Sequence, residues 1–184
     1  MSLYDSVRLS ECEGVYQPAE DSELLAKAVE QYAFGYALDM GTGTGIQGIV
    51  AAKSGCGVVF CDIDPAALRC AAGNAASNRV FGEFVQSDLF GSVRRRFNTI
   101  IFNPPYVPTG RGERGMPVYL AGGEGGREVI ARFLSGLRPH LLDDHVVLMV
   151  ESSLNSYERD VAALGAEVVG KVHMSFEDIV VLKF

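Results

Sequence analysis

The sequence lacks the features that mark membrane proteins, metalloproteins and disulfide-rich secreted proteins. No apolar run approaches the roughly 20 residues needed to cross a bilayer, and the polar, acidic start is unlike a secretory signal. The three histidines are scattered, and the four cysteines (Cys12, Cys56, Cys61 and Cys70) form no C-x-x-C pair. We therefore expect a cytoplasmic protein without a membrane anchor or a bound metal, whose cysteines are reduced packing residues.

Basic charge is also scarce. The chain carries 16 Lys and Arg residues against 23 Asp and Glu residues, which gives a net charge of −7. Tight, sequence-independent binding of nucleic acid needs many Lys and Arg contacts to phosphate, so the composition argues against it. We interpret the one basic run, residues 94–96, as a solvated turn before a strand.

The composition is that of a globular protein, with 48% apolar and 21% charged residues over 184 positions and with no repeat or linker. It predicts one domain over residues 1–184, in which residues 1–35 form an N-terminal segment and a first helix. Apolar runs of strand length alternate with segments of helical period, which predicts a mostly parallel sheet covered by helices on both faces. We predict helices over 18–34, 46–54, 65–77, 124–137 and 153–164, and strands over 36–40, 57–61, 83–86, 99–102, 146–150, 166–172 and 179–184.

A glycine-rich loop follows the first predicted strand. The strand ends in Asp39-x-Gly41-x-Gly43-x-Gly45, at the edge of an open α/β sheet where ligands bind. Residues 43–48 also fit the dinucleotide pattern G-x-G-x-x-G, which is weak alone. A carboxylate at the strand end would repel a pyrophosphate but attract a ligand that carries a sulfonium and an ammonium. We therefore favour S-adenosylmethionine as the ligand, although Asp39 could instead only cap the loop.

The next two predicted strands also end in aspartates. Asp62 could accept hydrogen bonds from both hydroxyls of a ribose, whereas Asp64 is better explained as the N-cap of a helix that begins at Pro65. Asp88 could accept a hydrogen bond from an adenine amino group, with Leu89 against the ring. The series of strand-end aspartates is more specific than any single member.

The fourth strand ends in Asn103-Pro104-Pro105-Tyr106, which predicts two fixed hydrogen-bond acceptors. One is the side-chain oxygen of Asn103, and the other is the carbonyl of Pro104 in a stiff backbone. Together they could hold both hydrogens of one planar –NH₂ group, direct its lone pair at a methyl donor and stabilise the developing positive charge. Tyr106 offers a flat face for an amide or a base. The alternative is a turn that only ends the strand.

These motifs resemble those of the class I, S-adenosylmethionine-dependent methyltransferases of amino groups. Residues 15–25 (VYQPAEDSELL) and 122–130 (GGEGGREVI) further resemble the HemK-type release-factor glutamine methyltransferases. The resemblance implies a Rossmann-like three-layer α/β sandwich whose seven-stranded, mostly parallel sheet has one antiparallel strand. It also implies methylation of the side-chain amide (N5) of the glutamine in the Gly-Gly-Gln motif of a class 1 peptide release factor, with S-adenosylhomocysteine as the other product.

The resemblance also assigns roles to single residues. Asp39 and Gly41 fall at the methionine part of the cofactor, with Gly43 in the same loop, and Asp62 falls at the ribose. Asp88 and Leu89 fall at the adenine, and Asn103, Pro104 and Tyr106 are the catalytic candidates, of which Asn103 also borders the cofactor. Ser22 stands where the family usually has Thr, and its hydroxyl could still contact the cofactor.

The chemistry of Asn103 leaves the target open among glutamine, the N6 amino group of adenine in DNA or RNA, and lysine. The acidic charge and the lack of an added nucleic-acid domain favour a protein target. A silent binding subunit is a third hypothesis, which the complete motif set disfavours. Only about 35 residues precede Tyr36, which resembles the short archaeal and eukaryotic branch. That branch works with a small zinc-ribbon activator on an exposed sheet edge, here the strand around Phe84 and Val85, which could also be an ordinary edge strand. Arg111 and Arg114 are candidates for substrate recognition.

Overall fold

The computed structural model describes residues 2–109 and 119–184, so Arg111 and Arg114 lie outside the described residues. The helices are α1 (Glu20–Tyr32), α2 (Ile46–Lys53), α3 (Pro65–Ser77), α4 (Glu128–Leu137) and α5 (Glu158–Leu164). The strands are β1 (Tyr36–Met40), β2 (Gly57–Asp62), β3 (Glu83–Gln86), β4 (Phe97–Phe102), β5 (Leu141–Ser152), β6 (Glu167–Met174) and β7 (Glu177–Lys183). Short 3₁₀ helices occur at Tyr4–Ser6, Glu124–Gly126, Arg138–His140 and Ser153–Asn155.

The strands form one seven-stranded sheet in the order β3-β2-β1-β4-β5-β7-β6. β7 pairs antiparallel with both β5 and β6, whereas the pairs formed by β1 to β5 are parallel. The predicted fold class, with one antiparallel strand, is therefore confirmed. The predicted edge position of β3 is also confirmed.

Alternation of side chains along the strands divides the core into two layers. Ile101 packs on the side of α1 and α2, together with Leu25 and Ile49, and all three are fully buried. The adjacent Ile100 points to the other face, where it joins a separate apolar cluster that includes Phe133 of α4. Because both faces of the central strands are covered, these strands present polar groups to the solvent mainly at their ends.

Two predicted helices are each split by residues with positive φ into a 3₁₀ turn and a shorter α-helix. Gly125 and Gly126 have φ angles of +63° and +69°, so the predicted helix 124–137 is split into a 3₁₀ turn and α4. A Cβ at Gly126 would lie 2.2 Å from the carbonyl oxygen of Tyr106, so a glycine is needed for this close approach. Ser156, with φ of +58°, similarly separates Ser153–Asn155 from α5.

The expectation of four reduced cysteines is wrong for one pair. Cys12 and Cys70 form a disulfide, with their Cα atoms 6.1 Å apart, whereas Cys56 and Cys61 are buried and free as expected. The two bonded cysteines are separated by 58 positions. Their spacing in the sequence does not indicate that the N-terminal segment lies along α3. The segment is also held there by hydrogen bonds, such as that from Ser10 N to Asn74 Oδ1 at 2.8 Å.

Two further features are absent from residues 2–109 and 119–184. No helix there is both long and apolar enough to cross a bilayer. Within the same ranges, no group of three or more His, Cys, Asp or Glu side chains is arranged to hold a metal ion.

Candidate functional site

A cleft of about 560 Å³ opens at the carboxyl ends of β1, β2 and β4, within the usual size range of ligand pockets. Its lining includes most of the predicted site residues, namely Ser22, Asp39, Gly41, Gly43, Asp62, Asp88, Leu89 and Asn103. The parallel strands bring these residues to one edge although they are far apart in the sequence. The structure therefore places the strand-end series on one surface, as the topology predicts.

Asp39 faces the glycine loop and the start of α2. Its Oδ2 accepts hydrogen bonds from Thr42 Oγ1 at 2.5 Å and from Gly48 N at 2.9 Å. Burial raises the pKa of Asp39 to about 7, although the two hydrogen bonds act in the opposite direction. The structure thus gives Asp39 the loop-capping contacts of the alternative interpretation, while the residue also lines the cleft.

Asp62 links β2 to the glycine loop. Its Oδ2 accepts a hydrogen bond from Gly43 N at 3.0 Å, and its Oδ1 accepts one from Asp64 N at 2.9 Å. Burial raises the pKa of Asp62, and these two backbone donors partly offset that effect. Each carboxylate oxygen has a second lone pair, so Asp62 can still accept from hydroxyl groups in the cleft. The predicted N-cap role of Asp64 is confirmed by the 2.7 Å hydrogen bond from Ala66 N to its Oδ1.

Asp88 and Leu89 lie at the outer rim of the cleft. Asp88 Oδ2 forms an ion pair with Arg132 Nη2 of α4 at 2.7 Å, and about half of each side chain is exposed. Leu89 has a φ of +46°, an unusual left-handed conformation for a non-glycine residue. Arg132 was not singled out in the sequence, because its contact with Asp88 spans 44 positions.

The two ends of the Asn103 amide differ, because the nitrogen has a hydrogen-bond partner and the oxygen has none among the described residues. Its Nδ2 donates a hydrogen bond to Asp21 Oδ2 at 3.1 Å. Its Oδ1 is buried and has no hydrogen-bond partner among the residues that the structure describes. A second cavity, of about 20 Å³, is lined by Asn103, Pro104, Tyr106, Asp21 and Tyr16. It is called the small cavity below. An unpaired buried acceptor costs about 1–3 kcal/mol, so a donor that reached it would be favoured.

Asp21 lies at the centre of this hydrogen-bond network, although it was not among the site residues predicted from the sequence. It is only 4% exposed, and its carboxylate also accepts hydrogen bonds from the hydroxyls of Tyr16 at 2.9 Å and Tyr106 at 3.2 Å. In the sequence Asp21 is one of several acids in the first turn of a helix, a position that the helix dipole alone explains. Burial together with the Asp21 carboxylate raises the pKa of both tyrosine hydroxyls, so these remain donors.

Ser22 and Gln47 connect the N-terminal segment to the glycine loop. Ser22 Oγ donates to Asp21 Oδ1 at 3.1 Å, and Gln47 Nε2 donates to the Ser22 carbonyl at 2.8 Å. Gln47 Oε1 is buried and, within the described ranges, has no hydrogen-bond partner. Gln47 could have been singled out in the sequence, because it is a polar residue in the otherwise apolar start of α2.

A buried cluster of charged residues holds the backbone of Tyr106 in place through Asn155. Asn155 Nδ2 donates to the Tyr106 carbonyl at 2.7 Å, and Arg127 Nη1 donates to the Asn155 carbonyl at 2.7 Å. Arg127 also pairs with Asp160 at 2.5 Å and with Glu151 at 3.2 Å. Burial raises the pKa of Glu151 to about 8, and Asp160 acts in the same direction. Arg127, in the segment GGREVI, thus helps to hold the Asn-Pro-Pro-Tyr turn in place through Asn155.

The polar groups that line the cleft fit S-adenosylmethionine. The charged residues of the lining are four aspartates (Asp39, Asp62, Asp64 and Asp88) and one arginine, Arg132, which already pairs with Asp88. Gln47 and Asn103 each add a buried oxygen without a partner among the described residues. Such a surface suits a ligand with a sulfonium, an ammonium and ribose hydroxyls, and it disfavours the phosphates of a dinucleotide.

Comparison with known proteins shows that this chain is similar to methyltransferases. Residues 9–115 match the family described as Methyltransferase small domain. A protein of Methanocaldococcus jannaschii, described as "Putative protein N5-glutamine methyltransferase", is 37% identical over 91% of this chain and 90% of its own length. Methyltransferase HEMK2 of Mus musculus is 37% identical over 76% of this chain and 72% of its own length.

The fold also has a close counterpart among solved structures. A methyltransferase from Pyrococcus furiosus aligns with a TM-score of 0.71 over 97% of this chain and 89% of its own, at 20% identity. At this level of identity the similarity concerns the fold alone.

Proposed function

Because the chain belongs to the HemK-type, S-adenosylmethionine-dependent class I methyltransferases, we propose that it methylates a glutamine side chain. The proposed target is the amide nitrogen (N5) of the glutamine in the Gly-Gly-Gln motif of a class 1 peptide chain release factor. The M. jannaschii relative, whose description names this chemistry, aligns with nearly the whole chain and supports the choice of glutamine.

The observation that carries the proposal is the unpaired side-chain oxygen of Asn103. Oδ1 is buried without a partner among the described residues, and the residue lines the small cavity together with Pro104. A primary amide has two N–H donors and a planar, weakly nucleophilic nitrogen. One acceptor from Asn103 and one from the Pro104 carbonyl would hold both hydrogens and expose the lone pair.

The residues of the chain then act by positioning and by electrostatics. Bound S-adenosylmethionine supplies an electrophilic methyl group. The two acceptors stabilise the positive charge that develops on the target nitrogen, which gains a methyl group and loses one proton to water. Tyr106, fixed by Asp21 and Asn155, bounds the small cavity and keeps the target amide in place. A strong general base is not required.

We assign the cofactor contacts to residues of the cleft lining. Asp39, Gly41, Gly43 and Ser22 would hold the methionine part, Asp62 the ribose, and Asp88 with Leu89 the adenine. For Asp88, we expect that the adenine amino group shares or replaces the contact with Arg132. These assignments place Asn103 between the cofactor and the target.

We further propose that a small zinc-ribbon activator covers the β3 edge and forms a heterodimer with this chain. β3 pairs only with β2 among the described strands. Phe81, two residues before β3, is 91% exposed, and Phe84 within β3 is 38% exposed. Exposed aromatic side chains at an unpaired edge support a partner there. Phe81→Ser should reduce co-purification with the activator. Phe176→Ser should not, because Phe176 lies at the turn between β6 and β7, although it is also highly exposed, at 82%.

The deciding experiment offers the enzyme a choice of acceptors. It is incubated with methyl-labelled S-adenosylmethionine and, separately, with a class 1 release factor, its Gly-Gly-Gln→Gly-Gly-Ala variant, oligonucleotides and a lysine-rich histone-like protein. Each mixture is run with and without the activator. We expect label on the wild-type factor only. Label on the oligonucleotides or on lysine, with none on the factor, would overturn the choice of glutamine.

A further inference from the structure

We propose that Asp21 is a positioning residue that fixes which way the Asn103 amide faces. In this arrangement Oδ1, and not Nδ2, is turned towards the target nitrogen. The inference rests on the proposed function, in which Asn103 Oδ1 accepts a hydrogen bond from the target amino group. It adds a specific task for the N-terminal segment.

The geometry leaves only one orientation for the Asn103 amide. Asp21 Oδ2 lies 3.1 Å from Asn103 Nδ2, and a carboxylate accepts hydrogen bonds but donates none. The amide must therefore turn its nitrogen to Asp21. Since the amide is planar, Oδ1 points away from the carboxylate. The two ends of an asparagine amide have nearly the same shape, so packing alone would not select between them.

The Asp21 carboxylate is itself fixed by several donors. The Tyr16 hydroxyl lies 2.9 and 3.0 Å from its two oxygens, and the Tyr106 hydroxyl lies 3.2 Å from Oδ2. The backbone N–H of Ser22 donates to Oδ1 at 2.5 Å. These contacts occupy most of the roughly four acceptor sites of a carboxylate, so Asp21 acts through Asn103 and not on the target directly.

The orientation matters because a reversed amide cannot serve the target. With Nδ2 in place of Oδ1, two N–H donors would face the N–H donors of the target amide, and the acceptor would be lost. An uncharged amide at position 21 can either accept from Nδ2 or donate to Oδ1. The replacement Asp21→Asn therefore keeps the shape of the side chain and removes the selection between the two orientations.

The kinetic test compares Asp21→Asn with a matched control. We expect kcat to fall about 10- to 100-fold, less than for loss of the acceptor itself, while the Kd of S-adenosylmethionine is unchanged. Glu20→Gln removes the same charge from the same helical turn, but Glu20 is exposed, and we expect its kcat to equal that of the wild type. In the background of Asn103→Ala, Asp21→Asn should have no further effect on kcat, because its only route to the reaction is gone.

A second readout does not depend on turnover. In the ¹⁵N-labelled wild type, the side-chain NH₂ signal of Asn103, assigned by its absence in Asn103→Ala, should be shifted downfield by the hydrogen bond to the carboxylate. Asp21→Asn should move it towards the position of a solvated amide or double it, and Glu20→Gln should leave it in place. This measurement on the wild type also covers the case in which Asp21→Asn does not fold.

The outcomes separate this inference from the proposed function. If the release factor takes no label, the proposed target is wrong, and the kinetic cycle is run on whichever acceptor is methylated. The role of Asp21 is overturned if the wild-type Asn103 signal is that of a free amide or is unaffected by Asp21→Asn. It is also overturned if the losses from Asp21→Asn and Asn103→Ala multiply in the double variant, since that pattern indicates a general structural effect.

Discussion

Asp62 ends β2, Asn103 directly follows β4, and both line the same cleft, but the surroundings of their oxygen atoms differ. Both oxygens of Asp62 accept from backbone N–H groups of Gly43 and Asp64. The side-chain oxygen of Asn103 accepts from none of the described residues, although its nitrogen is bound by Asp21. In the proposed mechanism, the chain itself fixes the carboxylate at the nucleoside end of the cleft, whereas the Asn103 oxygen at the reacting end stays unpaired for the target.

The largest effect should come from removing that acceptor. We expect Asn103→Ala to lower kcat on the order of 10²–10³-fold, by analogy with the deletion of one preorganised polar group at a reacting centre. Affinity for S-adenosylmethionine should survive, because Asp62 and the glycine loop are untouched. Single-turnover rates and titration calorimetry on the same preparation would test both parts. Near-normal turnover would remove Asn103 from the mechanism.

The reverse pattern should appear at the other strand end. We expect Asp62→Ala to weaken cofactor binding about 10- to 100-fold, because it removes a charged acceptor for the ribose and the anchor of Gly43 N. At saturating cofactor its kcat should fall much less than that of Asn103→Ala. An unchanged Kd by calorimetry would contradict the ribose assignment.

The smallest effect should be on stability and should concern Asp39. Its pKa rises from 3.8 to about 7 in the folded state, so the folded state binds more protons than the unfolded state between these values. The free energy of unfolding should therefore fall as the pH rises from about 4 to about 7. Glu151, with a pKa of about 8, should add a contribution of the same sign.

The replacement Asp39→Asn isolates the contribution of Asp39. One amide oxygen can still accept from both Thr42 and Gly48, because both donate to the same oxygen in the wild type. We expect the Tm difference between pH 5 and pH 8 to be smaller in this variant than in the wild type. Equal differences would mean that Asp39 titrates in the folded state as it does in the unfolded chain.

Much of the fold could be read from local patterns. β1, α3 and β3 have the predicted bounds, because short apolar runs, the Asp64-Pro65 cap and the adjacent turn residues define them locally. β5 is longer than predicted, since its first half contains the exposed residues Asp143 and Asp144, which carry no apolar signal.

Apart from Ser22, which the family resemblance indicated, the candidate site was predictable where it follows from strand ends. Asp62, Asp88 and Asn103 could be placed because topology brings such positions to one edge of the sheet. The partner of Asn103 could not, because Asp21 lies 82 positions away, and no local pattern distinguishes it from Glu20. The disulfide could not be predicted for the same reason, because its two cysteines meet only through the path of the N-terminal segment along α3.

That disulfide has a consequence for every measurement on this protein. The bond between Cys12 and Cys70 closes a covalent ring that contains the glycine loop, Asp39 and Asp62, and it packs beside Val15 and Ala67 in the wall of the cleft. Thiol reductants in a purification buffer would open this ring next to the proposed nucleoside site. Samples prepared with and without them are chemically distinct enzymes and should be assayed separately.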